Sequence, residues 1–509
     1  MRDTGHGRAT TTAQRQAAAA EGQAATAEVL RQEGSRLVER MAAYLDDLEA
    51  GPVSTRHTAA ELATRFDLPL PRTGLPAREV WDEVWRDVVA DAIHLAHPMY
   101  LGHQVAPPLP HAVLADALAS LLNQSVAVWE MSPTGTPLER RVVAWMKELI
   151  GYPKAADGTT VSGGSAANLT GLLAAREARF PGAWRRGVAG TPGLERAVVL
   201  TGAHTHYSVE RAVGVMGMGA DAVVSVPERE LRMDVAALER ILAELAAADR
   251  TPLAIVATAA STATGLFDDL DAIADVAEAH GIWLHVDGAH GASFVLSPAL
   301  RDRLKGIERA DSLSWDPHKM LFMPISAGMV LVRDGAHLAS AFQQSAPYLF
   351  HPRPGETRTR DMGQHTLQCS RRLDALKLWI CLRHYGVEHF SGLLEHTVAN
   401  AAALHALLEA APDFEAVHAP ESNILCFRYL PDGSGTWEPE RVDALQGTLR
   451  ERYNAVGGGW ITTTVLGGRR VLRVTLMNPA TEQRHLEAML EGLRETAARI
   501  ATTTRQSDS

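Results

Sequence analysis

The central part of the sequence, roughly residues 135–380, most limits the possible folds, because short β-branched runs alternate there with helical patterns. The predicted buried strands are residues 197–200, 253–257, 282–286, 312–315 and 328–332, and residues 269–280 form one of the amphipathic helices between them. Strands separated by helices pair mainly in parallel, with the helices covering the sheet. The pattern therefore predicts an α/β fold whose ligands bind outside the carboxyl ends of the strands.

The regions on either side of this central part carry different patterns. Apolar residues recur at helical spacing between residues 27 and 48, which predicts an amphipathic helix. After about Leu376 a helical stretch leads to two strand patterns, residues 423–428 and 470–476, which predict a smaller α+β lobe. The predicted division of the chain is an unstructured tail, an N-terminal helical segment, a large domain, a small C-terminal domain and a second tail, at residues 1–25, 26–100, 101–380, 381–500 and 501–509.

Charge and cysteine content narrow the classes of function. The 49 Lys and Arg residues stand against 60 Asp and Glu residues, and the net charge of −11 argues against nucleic acid or an anionic membrane as the main partner. No apolar run approaches the roughly 20 residues that span a bilayer. The three cysteines, Cys369, Cys381 and Cys426, form no CxxC pair, so neither a disulfide framework nor a metal site is predicted. A cytoplasmic protein is the simplest interpretation.

Two predicted strands end in residues that suit covalent chemistry on an aromatic aldehyde. Lys319 follows the strand at residues 312–315, where burial lowers the pKa of an amine and favours Schiff-base formation. Asp287 ends the strand at residues 282–286, where a carboxylate can hold a ring nitrogen protonated, and Ala289 leaves room for a flat ring. Each residue alone also fits an ordinary surface lysine or a turn aspartate.

Two further motifs complete the pattern. A glycine turn in Ser162-Gly-Gly-Ser165 precedes a helical pattern, and backbone amides at a helix start bind anions. His204 and His206 follow the strand at residues 197–200, where one of them can stack on a ring. The turn is neither a phosphate loop nor a dinucleotide-binding fingerprint. A plain loop and a structural histidine are the alternative interpretations of these two motifs.

Taken together and in this order, the motifs resemble the group II pyridoxal-phosphate (PLP) dependent amino-acid decarboxylases, which include glutamate, aromatic-amino-acid and diaminobutyrate decarboxylases. The resemblance runs from His97 to Pro479, and Pro317-His-Lys319 and His285-Val-Asp-Gly-Ala289 are its most specific parts. It implies PLP fold-type I, a homodimer with active sites at the subunit interface, and conversion of an L-amino acid to its amine and CO2 through a Schiff base and a quinonoid carbanion.

The resemblance also assigns roles to residues. It implies that Lys319 is the Schiff-base lysine, that Asp287 pairs with the pyridinium and that His206, rather than His204, stacks on the ring. The further cofactor contacts that it implies are Ser165, Ala166, Ala167, Thr262, Asp268, Ala289, Ser312 and His318. Gln104 and Arg473 match substrate-binding positions and favour an acidic or diamino substrate. The alternative for Arg473 is a structural ion pair. The alternative for the substrate is a branched or aromatic amino acid, which would suit an apolar wall at residues 105–107.

One position departs from the family. The loop tyrosine that protonates the carbanion in many relatives corresponds to Arg360 here, and His206 or Tyr348 are the candidate replacements. Relatives that lack the tyrosine can form an aldehyde, ammonia and CO2, so decarboxylative oxidative deamination is an alternative activity. A non-catalytic PLP-binding scaffold, in which Lys319 is dispensable, is the alternative of another class.

Overall fold

The computed structural model describes residues 12–55, 57–342, 344, 346–350, 361–431 and 438–507. Its helices are α1 (Thr12–Asp46), α2 (Ala59–Arg65), α3 (Ala77–Val84), α4 (Pro110–Leu122), α5 (Gly135–Ile150), α6 (Gly164–Arg179), α7 (Ala183–Arg186), α8 (Ser208–Val215), α9 (Val235–Ala247), α10 (Leu270–His280), α11 (Gly335–Ala341), α12 (Ala375–Glu409), α13 (Pro439–Val456) and α14 (Gln483–Ser507). Its strands are β1 (Asp157–Val161), β2 (Ala197–Gly202), β3 (Val223–Val226), β4 (Glu228–Arg229), β5 (Arg232–Met233), β6 (Thr251–Thr258), β7 (Trp283–Asp287), β8 (Ser312–Trp315), β9 (Gly328–Val332), β10 (Phe414–Ala416), β11 (Ile424–Tyr429), β12 (Thr462–Leu466) and β13 (Arg469–Thr475).

The elements form two units, Met1–Pro52 and Val53–Ser509. The first unit contains α1, so the prediction of an unstructured tail over residues 1–25 is wrong for residues 12–25, which are helical. This segment has few large apolar residues, but alanine and glutamine are strong helix formers. The predicted tail at residues 501–509 is likewise wrong as far as Ser507, where α14 ends. The other domain boundaries stay a prediction.

A seven-stranded sheet lies at the centre of the second unit, in the order β1-β9-β8-β7-β6-β2-β3. The pairs from β3 through β2, β6 and β7 to β8 are parallel, whereas β9 runs antiparallel to both β8 and β1. The predicted α/β class with a mainly parallel sheet is confirmed. Strands β7 and β8 are buried along most of their length, as expected for a sheet covered by helices on both faces.

The direction of the strands brings their carboxyl ends to one edge of the sheet. Since β1 and β8 are both antiparallel to β9, they run the same way, and β2, β6 and β7 are parallel to β8. The segments that follow these five strands therefore meet at one edge. These segments carry the glycine turn, the two histidines, Asp287 and Lys319.

A four-stranded antiparallel sheet, in the order β10-β11-β13-β12, forms the later part of the chain. Arg473 lies in its second-last strand and pairs in register with Cys426 of β11 and Thr462 of β12. The thiol of Cys426 lies 3.2 Å from the carbonyl oxygen of Ala263, so this face of the sheet contacts the loop that follows β6. In the part of the chain that the structure describes, no helix combines the length and apolar character needed to cross a membrane.

Candidate active site

A cavity of about 330 Å³ opens at the carboxyl edge of the seven-stranded sheet. Of the residues that the sequence analysis singled out, those that line it are Ser165, Ala166, His206, Thr262, Asp287, Ala289, His318 and Lys319. Ser162, Asn168, Ser208, Thr258, His290 and Asp316 also line it and were not assigned a role from the sequence. The structure therefore brings five separate stretches of sequence into one pocket.

Lys319 reaches the cavity from a tight turn after β8. Its backbone N–H donates to the carbonyl oxygen of Asp316 over 2.9 Å, which turns the chain back immediately after the strand. Its side chain is 17% exposed, and its Nζ lies 3.5 Å from Oδ2 of Asp316. The amine is thus largely shielded from bulk water but can still be reached from the cavity.

Asp287 is a buried carboxylate with three hydrogen-bond donors. Asn168 Nδ2 donates to its Oδ2 over 2.9 Å, while Ser314 Oγ and the backbone N–H of Ala289 donate to its Oδ1 over 3.1 and 3.2 Å. Burial is the largest influence and raises the pKa of Asp287, but the charge of Lys319 and the hydrogen bonds from Asn168 and Ala289 outweigh it, so the pKa lies below its ordinary value. The residue is therefore a charged acceptor at neutral pH.

His206 lines the same cavity as Asp287. Its Nδ1 lies 2.8 Å from Oγ of Ser208, and burial lowers its pKa, so the ring is neutral at neutral pH. His204 instead pairs with Glu228 and does not line the cavity. The geometry favours His206 over His204 as the ring-stacking histidine.

The amides of the glycine turn that have no acceptor lie two residues before the predicted ones. The backbone N–H groups of Ala166 and Ala167 both donate to the carbonyl oxygen of Gly163, and Ala167 is fully buried outside the cavity. Among the described residues the N–H groups of Gly164 and Ser165 have no acceptor, and they lie at the positive end of the α6 dipole. The amides that are available to an anion are therefore those of Gly164 and Ser165 rather than the predicted ones of Ala166 and Ala167, and the phosphate contact itself stays a prediction.

Ser312 was assigned to the wrong end of its strand. Its Oγ lies 2.7 Å from Nδ1 of His285 and 2.8 Å from Nε1 of Trp283, inside the sheet. Ser312 begins β8, whereas the cavity lies beyond the last residue of that strand, Trp315. The structure therefore does not bring Ser312 to the cavity, and its hydroxyl is already bonded to His285 and Trp283, which disagrees with the predicted contact to a phosphate.

Asp268 lies beneath the cavity rather than in its wall. Its two carboxylate oxygens accept from the backbone N–H groups of Met233 and Thr258, each over 2.8 Å. Burial, the largest influence, raises the pKa of Asp268 above its ordinary value. Since Thr258 lines the cavity, Asp268 acts on the pocket by fixing the backbone at the end of β6.

Gln104 and Arg473 do not line this cavity. Arg473 is 5% exposed, and its Nη1 lies 3.3 Å from Oγ1 of Thr462 and 3.4 Å from the carbonyl oxygen of Gly102. Burial lowers the pKa of its guanidinium. No acidic side chain of the described residues pairs with Arg473, so the structural ion pair that the sequence left open is absent from the part of the chain that is described.

Of the two loop positions that the sequence analysis named, Tyr348 does not line the cavity. Tyr348 is 85% exposed. Arg360 lies outside the described residues.

Sequence reasoning missed the polar residues that tie the site together, above all Asn168, Ser314 and His285. Asn168 stands four residues after Gly164 on α6, one helical turn further along, so it faces the same side as the anion site. Ser314 pairs in register with Asp287 on the neighbouring strand. These spacings were available in the sequence once the strand order was known.

Comparison with known proteins agrees with this geometry. Residues 62–430 match the family model described as the pyridoxal-dependent decarboxylase conserved domain. The aromatic-L-amino-acid decarboxylase of Bacillus atrophaeus is 30% identical over 94% of this chain and 97% of that enzyme, and the L-2,4-diaminobutyrate decarboxylase of Rhizobium meliloti strain 1021 is 34% identical over 85% of each chain. The crystal structure of Oryza sativa TDC with PLP and tryptamine superposes with a TM-score of 0.86 at 27% identity, covering 93% of this chain and 98% of that one.

Proposed function

The chain belongs to the pyridoxal-dependent decarboxylases and is a PLP-dependent carboxy-lyase that acts on an L-amino acid, and we propose which of its residues perform that reaction. Lys319 binds the cofactor covalently, Asp287 holds the protonated ring nitrogen and the turn at Gly164 and Ser165 holds the phosphate. The observation that carries this proposal is that a buried carboxylate with a lowered pKa shares one cavity with a shielded lysine.

The polar groups of the cavity fit PLP. An amine, an anionic partner for a ring nitrogen, a flat floor at Ala289 and free amides at a helix start are all present. The backbone at Gly164 lies close to the opposite wall, because a Cβ there would lie 3.0 Å from Oδ2 of Asp316 and 3.2 Å from Cβ of Ala289, so a larger side chain requires these neighbours to shift. Asp316 is a carboxylate beside this turn, and the charged Nζ of Lys319 lies 3.5 Å from its Oδ2. Nε2 of His318 lies 3.6 Å from the same oxygen, but burial lowers the pKa of His318, so its ring is neutral at neutral pH.

The residues of the cavity divide the work of decarboxylation. Bound PLP supplies an electron sink for the electron pair that departing CO2 leaves behind. Asp287 keeps a proton on the ring nitrogen because its carboxylate remains charged when buried. Lys319 Nζ provides the covalent attachment and, once replaced by the substrate amine, can hold a proton beside the reacting carbon. His206, which Ser208 holds through its Nδ1, would stack on the ring of the bound cofactor.

Arg473 is proposed to bind a carboxylate of the substrate. A buried guanidinium without an anionic partner is costly, and a substrate carboxylate would remove that cost. Nε2 of Gln104 is also buried without a hydrogen-bond partner among the described residues. Because Arg473 and Gln104 both have buried donors without an acceptor, we expect the substrate to have an acidic or other polar side chain rather than a purely apolar one.

A homodimer is proposed as the active assembly. Leu114, Leu118 and Leu121 of α4 are 59, 43 and 62% exposed, and their spacing places them on one face of the helix. Replacing Leu118 and Leu121 with Glu is expected to halve the mass measured by light scattering. The same change at Val465, which is 51% exposed on β12, leaves it unchanged. A monomeric unmodified protein contradicts the proposal.

A cytoplasmic location is also proposed. All three cysteines are free thiols, and Cys381 and Cys426 are buried. Free, buried thiols are typical of proteins that remain in a reducing compartment.

Borohydride reduction in the presence of PLP tests the assignment of Lys319. The cofactor is expected on Lys319 in a peptide map, and Lys319→Ala is expected to lose both the visible absorbance of the bound cofactor and CO2 release from a panel of L-amino acids. Amine, aldehyde and hydrogen peroxide are measured together, which separates simple decarboxylation from oxidative deamination.

Lys305, whose side chain is 78% exposed in a pair with Asp271, provides the matched control. Lys305→Ala is expected to keep the absorbance band and the activity. A reduced cofactor on another lysine, or CO2 release by Lys319→Ala, contradicts the proposed role and favours a binding protein in which Lys319 is dispensable.

A further inference from the structure

Asn168 contacts both polar sides of the candidate active site through one amide nitrogen. Its Nδ2 lies 2.9 Å from Oδ2 of Asp287 and 2.9 Å from Oγ of Ser208, while its Oδ1 lies 3.0 Å from Nε2 of His285. Asn168 is 1% exposed, so no water competes for these contacts. The amide uses both of its protons and its oxygen inside the protein.

Groups that can only donate or only accept fix every proton in this network. Asp287 is a charged carboxylate and can only accept, so the amide nitrogen of Asn168 must face it and the amide oxygen must face His285. Nε2 of His285 then carries a proton, and its Nδ1 accepts from the hydroxyl of Ser312, whose oxygen accepts from Nε1–H of Trp283. Burial lowers the pKa of His285 to about 4, which agrees with a neutral ring.

The same reasoning fixes the tautomer of His206. The backbone N–H of Ser208, which can only donate, lies 3.3 Å from Nδ1 of His206. Oγ of Ser208 accepts from Asn168, so its own proton points to the same Nδ1 over 2.8 Å. Nδ1 therefore carries no proton, and the proton of the neutral ring is on Nε2.

We propose that Asn168 is a positioning residue that couples two functions of the site: it keeps Asp287 charged, and through Ser208 it fixes His206 as an Nε2–H hydrogen-bond donor. The inference rests on the proposed function of the cavity. It also limits the role of His206. Loss of the Nε2 proton would leave an imidazolate, so His206 donates a hydrogen bond rather than the proton that the product carbon receives.

The proposal is tested by comparing how strongly two substitutions of Asn168 weaken PLP binding. Asn168→Asp keeps the shape of the side chain but places a carboxylate against Asp287, whereas Asn168→Ala only removes the amide. Asn168→Ala is expected to weaken PLP binding to the apo protein about tenfold, the effect of one hydrogen bond to a charged group, and Asn168→Asp is expected to weaken it about 100-fold at pH 8. At pH 6 the Asn168→Asp defect shrinks, because a proton shared by the two carboxylates restores a donor.

A purely structural role predicts the opposite order, since Asp fills the space of Asn and Ala does not. Tighter PLP binding by Asn168→Asp than by Asn168→Ala therefore overturns the proposal. Asn454 is the matched control, because it is buried and holds Ile461 through two backbone hydrogen bonds away from the cavity. Asn454→Ala is expected to lower thermal stability but to leave the PLP dissociation constant unchanged.

Ser208→Ala provides an arm that does not depend on the folding of Asn168→Asp. It keeps the contact between Asn168 and Asp287 but removes one of the two groups that fix His206. The PLP dissociation constant is expected to stay within about twofold, while kcat falls about tenfold with little change in KM. An unchanged kcat, or a loss of PLP affinity as large as that of Asn168→Ala, overturns the coupling. If the unmodified protein binds no PLP on Lys319, the proposed function itself fails.

Discussion

The hydrogen-bonded group around Asp287 and the polar residues around Gly102 are both buried, yet their donors and acceptors are satisfied to very different degrees. In the hydrogen-bonded group formed by Asp287, Asn168, His285 and Ser312, every side chain has a partner. Three atoms of the cavity wall outside this group, Oγ1 of Thr258, Nδ1 of His290 and Oδ1 of Asp316, have none among the described residues. Around Gly102, the buried atoms that have no partner among the described residues are Nε2 of Gln104, Nε1 of Trp460, Nε and Nη2 of Arg473 and Oγ1 of Thr475.

This difference in hydrogen bonding indicates that the two buried groups have different functions. A satisfied network has one arrangement of its protons and needs nothing from outside, which suits a site that must hold one cofactor in one state. Buried donors without acceptors are costly in the free protein and become favourable only when a ligand supplies the acceptors. We infer that the group around Asp287 serves the chemistry and that the group around Gly102 serves recognition.

The largest effect is expected from removing the charge at the centre of the satisfied network. Asp287→Asn keeps the size of the side chain but presents an amide to Asn168 and loses the anion that faces the ring nitrogen. The turnover number is expected to fall about 10²- to 10³-fold, as for other losses of a preorganised electrostatic group. Steady-state CO2 release at saturating substrate and PLP measures it. A loss below about fivefold would show that Asp287 is not the partner of the ring.

A smaller effect is expected from the pH dependence of the same network. The pKa of His285 is about 4 in the folded protein and about 6.5 when exposed, so the unfolded chain binds more protons between these values. Stability therefore falls as the pH drops from about 6.5 towards 4, and His285 contributes a loss of about 2 kcal/mol between pH 7 and pH 5.

Urea unfolding of the apo protein at the two pH values measures this loss. His285→Gln is expected to reduce the difference between them, although not to zero, because burial also lowers the pKa of His290 to about 3. Asn454→Ala, a buried change that removes no titratable group, is the control and is expected to leave the difference unchanged. An equal pH dependence in His285→Gln and the unmodified protein would show that the network does not resist protonation.

The sequence predicted the central sheet well because its strands are covered on both faces. The predicted strands at residues 312–315 and 328–332 coincide with β8 and β9, and the prediction for residues 282–286 is displaced by one residue from β7. Such strands are continuous apolar runs, which periodicity detects. Strand β1 was missed because Asp157-Gly-Thr-Thr-Val161 is polar in sequence, although all five residues are buried.

The sequence predicted the site residues that belong to a recognisable motif, but not those whose role depends on contacts between distant parts of the chain. Lys319 and Asp287 each follow a strand, and their place at the carboxyl edge follows from strand direction alone. Ser312 was expected near Lys319 because the two are close in sequence. Ser312 begins β8, however, and the two ends of a strand lie at opposite edges of the sheet. Asn168 was missed because its role depends on contacts to Asp287, Ser208 and His285 from three different elements.

The smallest expected effect tests whether the unsatisfied group recognises substrate. Arg473→Met removes a buried cation but keeps most of the apolar stem. If Arg473 awaits a substrate carboxylate, KM is expected to rise roughly tenfold, the loss of a hydrogen bond to a charged group, while kcat changes less. The free energy of unfolding of the apo protein is expected to stay constant or increase, because a buried charge without an anionic partner is replaced by an apolar side chain.

The direction of the stability change distinguishes recognition from support. A structural role for Arg473 requires that its contacts to Thr462 and Gly102 stabilise the fold, so Arg473→Met would then lower stability without a selective rise in KM. Arg473→Lys sharpens the test, since lysine keeps the charge but lacks the planar fork that binds a carboxylate through two bonds. A KM for Arg473→Lys between those of the unmodified protein and Arg473→Met supports recognition. If Arg473→Met and Arg473→Lys both keep the KM of the unmodified protein but lower its stability, Arg473 supports the fold and does not recognise the substrate.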